Sequence, residues 1–190
     1  NLRSALLGDS DLRGSDLRGA NLINANLINA DLRGANLTGV NLTNANLTNA
    51  DLRGANLRDA NLTNSNMSDS NLYGVTLRDA NLFGANLERT FLRGANLTGA
   101  NFYTVNLSEA SLSEANLTAV NLYGANLTNA DLTGSKLFLA NLALANLTGA
   151  NLTDANLEGA VLTGSILTGA VLKGSILTDA VLTDANLADA

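Results

Sequence analysis

The sequence lacks histidine, cysteine, proline and tryptophan, and it has only three tyrosines, four phenylalanines and one methionine among 190 residues. Without His or Cys, the chain cannot form a Cys/His zinc site, a thiol nucleophile, a disulfide bond or a Ser-His-Asp relay. No base is placed beside a nucleophile at a recognisable spacing. We therefore expect no enzyme activity: no catalytic residue, no cofactor and no metal site.

Long apolar runs and basic clusters are also missing. No run approaches the ~18 apolar residues of a membrane span, so we expect no membrane partner. The net charge is −6, which argues against direct nucleic-acid binding because such binding needs a basic surface. No signal segment is visible, and this favours a cytoplasmic location for a chain that begins at Asn1.

What the sequence does contain is a five-residue repeat that runs without interruption through 38 pentads. The second position is Leu in all pentads except those with Met67 and Phe102. The first position is Asn in 23 pentads and Asp in 5, and the fifth is Ala in 26. The repeat predicts one continuous domain over residues 1–190, with a compositional junction near residues 88–105.

A five-residue period excludes both a helix and a straight strand. At ~100° per residue, the leucines would spiral around every face of a helix. In a straight strand, Leu2 and Leu7 would point to opposite faces because side chains alternate with period two. The conflict disappears if the chain turns a corner once per pentad, so that the second and fifth residues both point inward.

The fourth position supports this corner, because it is Gly in 16 pentads and often Asn or Asp in the others. These residues tolerate the positive φ of a type II-like turn. A longer period of twenty residues relates similar side chains, as in the glycine series 14, 34, 54, 74 and 94. Twenty residues are four pentads, which predicts a four-sided, all-β solenoid of about 9.5 coils with ~4.8 Å between coils.

The Ala-(Asp/Asn)-Leu-x-x pattern, as in Ala20-Asn21-Leu22-Ile23-Asn24, resembles the pentapeptide repeat family over the whole chain. The resemblance implies a right-handed quadrilateral β-helix. The family is abundant in cyanobacteria and other bacteria, and most members have no assigned activity. Its best-understood members bind DNA gyrase as acidic, rod-shaped mimics of duplex DNA.

Three aromatic side chains fall twenty residues apart, which predicts a ladder on one side with rungs ~5 Å apart. They are Phe83, Tyr103 and Tyr123. Aromatic side chains are favoured anchors at protein interfaces, so this ladder is the first candidate for an interaction face. Arg13, Arg33 and Arg53 form another series, but each follows an Asp by two residues, which predicts a mutually neutralised surface.

The net negative charge lies in the second half, because residues 96–190 hold two Lys and eight acids. We take four of these acids as a candidate acidic face: Asp154, Glu158, Asp179 and Asp184. Duplex DNA carries one charge per ~1.7 Å, so a net six charges over a half-rod of ~23 Å is under half its density.

Five consecutive first positions near the C-terminus are apolar and should form a belt around the rod. They are Val161, Ile166, Val171, Ile176 and Val181. β-propensity alone explains them. The alternative is an end-to-end homodimer that covers the terminal leucines and part of this belt.

These observations leave two hypotheses. The first is a non-catalytic, rod-shaped scaffold or protein-interaction module with an unidentified protein partner. The alternative is a DNA-mimicking binder and inhibitor of a type II topoisomerase such as DNA gyrase.

Overall fold

The structure is a computed structural model that describes residues 1–190, and in it the chain winds as a four-sided solenoid. It has no helix. Each pentad after the first contributes a single bridging residue at its first position rather than a longer strand. Every bridge is parallel and joins residues twenty apart, from Leu6 with Asn26 to Ile166 with Asn186. The predicted coil of four pentads is therefore confirmed.

The four pentads of a coil form four sides, which we number in chain order. Side 1 comprises the pentads that begin at residues 1, 21, 41 and so on to 181, and sides 2, 3 and 4 begin five, ten and fifteen residues later. A given position in a side therefore lies directly below the residue twenty places further on. Consecutive coils are ~4.8 Å apart along the rod.

The second and fifth positions fill the interior, as the period predicts. The core is one cluster of 55 buried residues, almost all Leu at the second position and Ala or Val at the fifth. Phe102 is fully buried in place of a Leu, and the neighbouring bridge between Asn101 and Asn121 is intact. Each buried Leu contributes about 1.5–3 kcal/mol relative to an exposed one, so the leucine columns are the main source of stability.

Each corner is a tight turn closed within the pentad. The fifth-position N–H donates to the second-position carbonyl, as from Ala100 to Leu97 at 3.0 Å. The fourth residue of every pentad has positive φ, between 53° and 70°. This conformation explains the Gly, Asn and Asp found there, because those residues enter it with the least strain.

Neighbouring coils are joined by backbone hydrogen bonds that use three of the remaining N–H groups. In the pentad that begins at Asn96, Asn96 N donates to Val75 O (2.9 Å), Leu97 N to Asn116 O (2.8 Å) and Gly99 N to Thr118 O (3.1 Å). The third-position N–H, here that of Thr98, has no backbone acceptor. Each pentad thus leaves one N–H for another kind of partner.

The first-position side chain supplies that partner. Thr98 N donates to Asn96 Oδ1 at 3.2 Å, and the Thr98 hydroxyl donates to the same oxygen at 2.8 Å. The N–H bond recurs in every pentad that begins with Asn or Asp, from Asn1 to Asn186. The backbone therefore favours Asn and Asp at the first position, since their Oδ1 lies at the right reach, and the ten pentads that begin with other residues lack this bond.

The five-residue apolar belt breaks this rule. Val and Ile carry no oxygen, so the third-position N–H groups that follow them have no protein acceptor: those of Thr163, Thr168, Lys173, Thr178 and Thr183. Lys173, Thr178 and Thr183 are exposed to solvent, and Thr163 and Thr168 are partly exposed, so water can satisfy these N–H groups. The belt therefore has fewer internal hydrogen bonds per coil than the middle of the rod.

Replacing Asn96 with Ala should remove two hydrogen bonds and nothing else, because its Nδ2 group makes no bond within the protein. We expect the free energy of unfolding to fall by about 1–2 kcal/mol, as for a lost local cap. Asn96→Asp keeps the Oδ1 acceptor and should lose less. Urea unfolding followed by circular dichroism measures both, and equal losses in the two variants would contradict the assigned role.

Candidate interaction surface on side 1

Phe83, Tyr103 and Tyr123 form a continuous stack on side 1. Their ring centroids are 5.5 and 5.1 Å apart, with interplanar angles of 8° and 7°. The predicted ladder is confirmed as geometry, and its spacing follows the distance between coils. Because the rings face one another along the rod, their edges point to solvent and only the two ends of the stack have a free ring face.

An asparagine ladder runs beside the stack at the first position. Asn101 Nδ2 donates to Asn81 Oδ1 at 3.0 Å, Asn121 to Asn101 at 3.2 Å and Asn141 to Asn121 at 3.2 Å. The Oδ1 atoms of these residues also accept the third-position N–H groups of the stack. The amides are thus largely saturated within the protein, and they fix the backbone from which the aromatic rings project.

Side 1 carries no charge over eight coils, because no Asp, Glu, Lys or Arg occurs in its pentads between Arg3 and Asp184. Its corners around Tyr103, Tyr123 and Ala143 are also uncharged, being formed by small or apolar residues from Gly84 to Gly164 and from Gly99 to Gly159, whereas the corner before Phe83 carries Asp79. The other three sides all carry charged residues in the same coils. The aromatic stack therefore lies in an uncharged strip, unlike the rest of the surface.

Sequence reasoning missed two apolar side chains at the corners of this strip. Leu139 and Leu144 occupy fourth positions with φ of 56° and 58°, and both are 55 % exposed. A leucine in this conformation costs about 1 kcal/mol or more, and exposure offers it little in return. The signal was present in the sequence, since large apolar residues at the fourth position occur nowhere else.

These two leucines lie over glycines of the next coil. A Cβ built on Gly159 would be 2.8 Å from Leu139 Cδ2, and one on Gly164 would be 2.8 Å from Leu144 Cδ2. Any other residue at Gly159 or Gly164 would therefore displace a leucine. Between them, at the third position of the same side, is the small side chain of Ala143.

The apolar belt encircles the rod. Val161 begins a pentad of side 1, Ile166 of side 2, Val171 of side 3 and Ile176 of side 4, and Val181 returns to side 1. The exposed fractions of these side chains lie between 36 % and 48 %. The belt joins the uncharged strip at Val161, while its other members face different directions.

The four acids of the candidate acidic face are not brought together on one side. Glu158 lies on side 4, Asp154 and Asp179 lie at the two corners that bound side 4, and Asp184 lies one corner further on. None of the four forms an ion pair within the protein. Three carboxylates therefore surround one side, and the fourth points away from it.

On side 3, Arg13, Arg33 and Arg53 are paired with carboxylates of their own pentads, and Arg93 is paired with Glu114 of the next coil. Arg13 contacts Asp11 with Nε at 2.8 Å and Nη2 at 2.6 Å, and Arg33 contacts Asp31 with the same geometry. Arg13 Nε also lies 3.6 Å from Asp31 of the next coil. Side-chain hydrogen bonds from Arg13 lower the pKa of Asp11 to about 2, and those from Arg33 lower the pKa of Asp31. The expected neutralised surface is confirmed.

The structure has no surface pocket. No three His, Cys, Asp or Glu side chains are grouped so that they could hold a metal ion. It also has no helix with the length and hydropathy needed to cross a membrane. The uncharged strip with its aromatic stack is therefore the most distinctive surface feature of the molecule.

A family model described as pentapeptide repeats matches almost the entire chain in eight copies, over residues 1–39, 41–79, 77–113, 100–137, 140–179 and 165–190. Among solved structures, the chain is similar to HetL, a pentapeptide repeat protein involved in heterocyst differentiation regulation from the cyanobacterium Nostoc sp. strain PCC 7120. The identity is 32 %, covering 95 % of this chain and 88 % of HetL, with a TM-score of 0.37.

The chain is also similar to two other solved structures of this kind. A trypsin-treated form of QnrB1, a plasmid-mediated fluoroquinolone resistance protein, is 22 % identical over 90 % of this chain and 88 % of its own, with a TM-score of 0.51. A pentapeptide repeat protein of the Arabidopsis thaliana thylakoid lumen is 37 % identical over 52 % of this chain and 68 % of its own, with a TM-score of 0.36. No curated protein matches the chain.

The ion pairs of side 3 predict a specific loss of stability in acid. Because the pKa values of Asp11 and Asp31 are lower in the folded state, their contribution to stability is present above the unfolded value near 4. It is lost as the pH falls through the folded pKa values, of which that of Asp11 is about 2. Asp11→Asn/Asp31→Asn keeps the Oδ1 acceptors but removes the charges, and should flatten this decline. Urea unfolding at several pH values measures the slope, with Asp154→Asn as the control that removes an unpaired carboxylate. An unchanged slope in the double variant would exclude the ion pairs as its source.

Proposed function

The chain belongs to the pentapeptide repeat family, and from that premise we propose that it is a non-catalytic rod whose uncharged side 1 binds another protein. The observation that carries this proposal is the stack of Phe83, Tyr103 and Tyr123 within a strip that has no charge. Aromatic side chains are enriched at interface centres, whereas charged residues are depleted there.

The backbone supports such a role. Every side of the rod is held by hydrogen bonds within and between coils, so an interaction surface on side 1 is preorganised before any partner arrives. A rigid surface avoids much of the conformational entropy that binding otherwise costs. The absence of pockets is consistent with recognition by a flat surface rather than with small-molecule binding.

Replacing the three rings with threonine tests the proposal, because Thr43 and Thr63 already occupy the same column. We expect Phe83→Thr/Tyr103→Thr/Tyr123→Thr to fold but to bind a native partner at least about tenfold more weakly, as for loss of an interface centre. Affinity capture from the source organism, followed by titration of the captured protein, measures this loss.

A matched control substitutes the same position on the next two sides, as Ser108→Thr/Ser113→Thr in the coil of Tyr103. The control should retain the partner with unchanged affinity. Equal binding by the wild type and the triple variant would overturn the proposal, and so would equal loss in the triple variant and the control.

The second candidate is an acidic mimic of duplex DNA that binds a type II topoisomerase such as DNA gyrase. It is supported by the unpaired Asp154, Glu158 and Asp179 around side 4, and by the fold shared with QnrB1, a fluoroquinolone resistance protein. Against it stands the modest charge, since the half that carries the net −6 has under half the charge density of duplex DNA.

A gyrase supercoiling assay separates the two candidates. If side 1 carries the function, the purified protein should not inhibit supercoiling even in large molar excess. Inhibition that depends on dose, and that is lost in Asp154→Asn/Glu158→Gln/Asp179→Asn/Asp184→Asn, would instead establish the mimic. Inhibition that persists in this variant but is lost in the triple threonine variant would place gyrase itself on side 1.

A further inference from the structure

The aromatic stack ends at a shallow slot, which we define as the rung of side 1 that carries only the small side chain of Ala143. The column of Phe83, Tyr103 and Tyr123 continues with Ala143 and then Thr163, each one coil further along side 1. Ala143 therefore stands where the next ring would be, and it fills that rung with a single methyl group. Beyond the other end of the stack, the rung next to Phe83 is filled by the larger Thr63.

The height of this slot fits one ring. Tyr123 and Thr163 are two coils apart, which is ~9.6 Å at ~4.8 Å per coil. The existing rings are 5.5 and 5.1 Å apart, so a further ring stacked on Tyr123 would lie at the level of Ala143, about midway between its two neighbours. The spacing that produces the ladder also defines its vacant position.

The corners on both sides of the slot are apolar, and Asn141 of the asparagine ladder lies between Leu139 and Ala143. Leu144 follows Ala143 directly at one corner, and Leu139 occupies the opposite corner, where each leans over a glycine of the next coil. Val161 begins the next pentad of side 1 and is 36 % exposed. Three aliphatic side chains thus border the position where an added ring would stack.

From this arrangement we propose that the slot receives one aromatic side chain, carried by an uncharged segment of a partner protein. The inference rests on the proposed function and names the chemistry that side 1 recognises. A guanidinium group could also stack on Tyr123, but no carboxylate lies on side 1 or its corners between residues 99 and 164 to pair with it. The chemistry of the strip therefore selects a neutral ring.

The size of the strip favours a short segment over a second copy of the chain. An aromatic side chain presents ~200 Å² in full, so the exposed parts of the stack, the two corner leucines and Val161 sum to about 400 Å². A stable protein interface buries ~800 Å² per partner. Two copies packed through this strip would fall short of that area, whereas an extended segment with one anchoring ring would cover it.

Thiol tethering tests the slot directly, because the chain contains no cysteine and an introduced one is its only thiol. Thr163→Cys places a thiol on the far side of the slot. The probes are two disulfide fragments that differ only in shape, one with a benzyl and one with a cyclohexylmethyl group. Intact-protein mass spectrometry measures the fraction of each fragment captured under a fixed excess of β-mercaptoethanol.

Thr168→Cys is the matched control. Thr163 and Thr168 are both half-buried, both occupy third positions of the same coil, and both follow a residue of the apolar belt. Below Thr168 on side 2 are Thr148 and Thr128, where side 1 has Ala143 and Tyr123. The two thiols therefore differ chiefly in whether an aromatic face and a vacant rung lie beneath them.

We expect Thr163→Cys to capture the benzyl fragment over the cyclohexylmethyl fragment by about two- to tenfold, as for one added aromatic pair, and Thr168→Cys to show no preference. The preference should disappear when Tyr123→Thr removes the aromatic face and when Ala143→Tyr fills the slot. Equal capture of both fragments at Thr163→Cys would overturn the inference, as would a preference that survives Tyr123→Thr. Circular dichroism melts establish that each variant is folded.

This test uses no partner protein, so its result is independent of the capture experiment on the stack. If tethering shows no ring preference but partner binding still depends on the stack, the slot is rejected and side 1 remains the interaction surface. A ring preference without any stack-dependent partner would reject the proposed function and leave the slot as a property of the surface. When both hold, Ala143→Tyr should also weaken binding of the captured partner.

Discussion

The hydrogen bond from the third-position N–H to the first-position Oδ1 is the constraint on which the regularity of the rod depends. The interior leucines provide most of the stability, but they offer no acceptor for the one N–H in each pentad that has no backbone partner. By accepting it, Asn or Asp fixes the side of the coil just before the corner. The repeat therefore has two recurring requirements: an apolar side chain inside every pentad, and an Oδ1 acceptor outside in the 28 pentads that begin with Asn or Asp.

This constraint limits where function can be placed on the surface. The first position is largely committed to the backbone, and the fourth must enter the left-handed conformation. The third position is the freest, and it is there that the aromatic stack, the arginine series and most of the threonines occur. Unusual residues at the first and fourth positions are therefore a stronger indication of function than sequence variety at the third position. Leu139, Leu144 and the apolar belt are departures of that kind, and the two leucines adjoin Val161 of the belt near the end of the aromatic stack.

Much of this architecture could be predicted from the sequence because the period alone assigns each residue a coil, a side and a direction. Leu97 inside, Gly99 at a corner and Tyr103 beside Tyr123 all follow from counting. The family resemblance added the handedness and the quadrilateral outline. These predictions needed no knowledge of side-chain conformation.

The features that could not be predicted depend on side-chain conformation and on position around the coil rather than on the repeat alone. Counting places Asn121 in the same column as Asn101, but it does not show that the Oδ1 atoms of both residues accept backbone N–H groups. It placed Tyr123 in a column without showing that its ring faces along the rod. It grouped Asp154 and Asp184 by charge, although the winding of the chain directs them to different corners. Each of these outcomes is decided by rotamers or by position around the coil.

The twenty-residue coil makes the surface sensitive to the length of the chain in an unusual way. Removing one pentad between Tyr123 and Ala143 would leave every pentad chemically normal and the core continuous, yet it would rotate all later residues by a quarter turn around the axis. Ala143 and Leu144 would then be on a different side from the tyrosines. Removing four pentads would shorten the rod and restore the alignment. Insertions or deletions of five residues thus preserve the fold, but only those of twenty residues also preserve the alignment of side chains on each side of the rod.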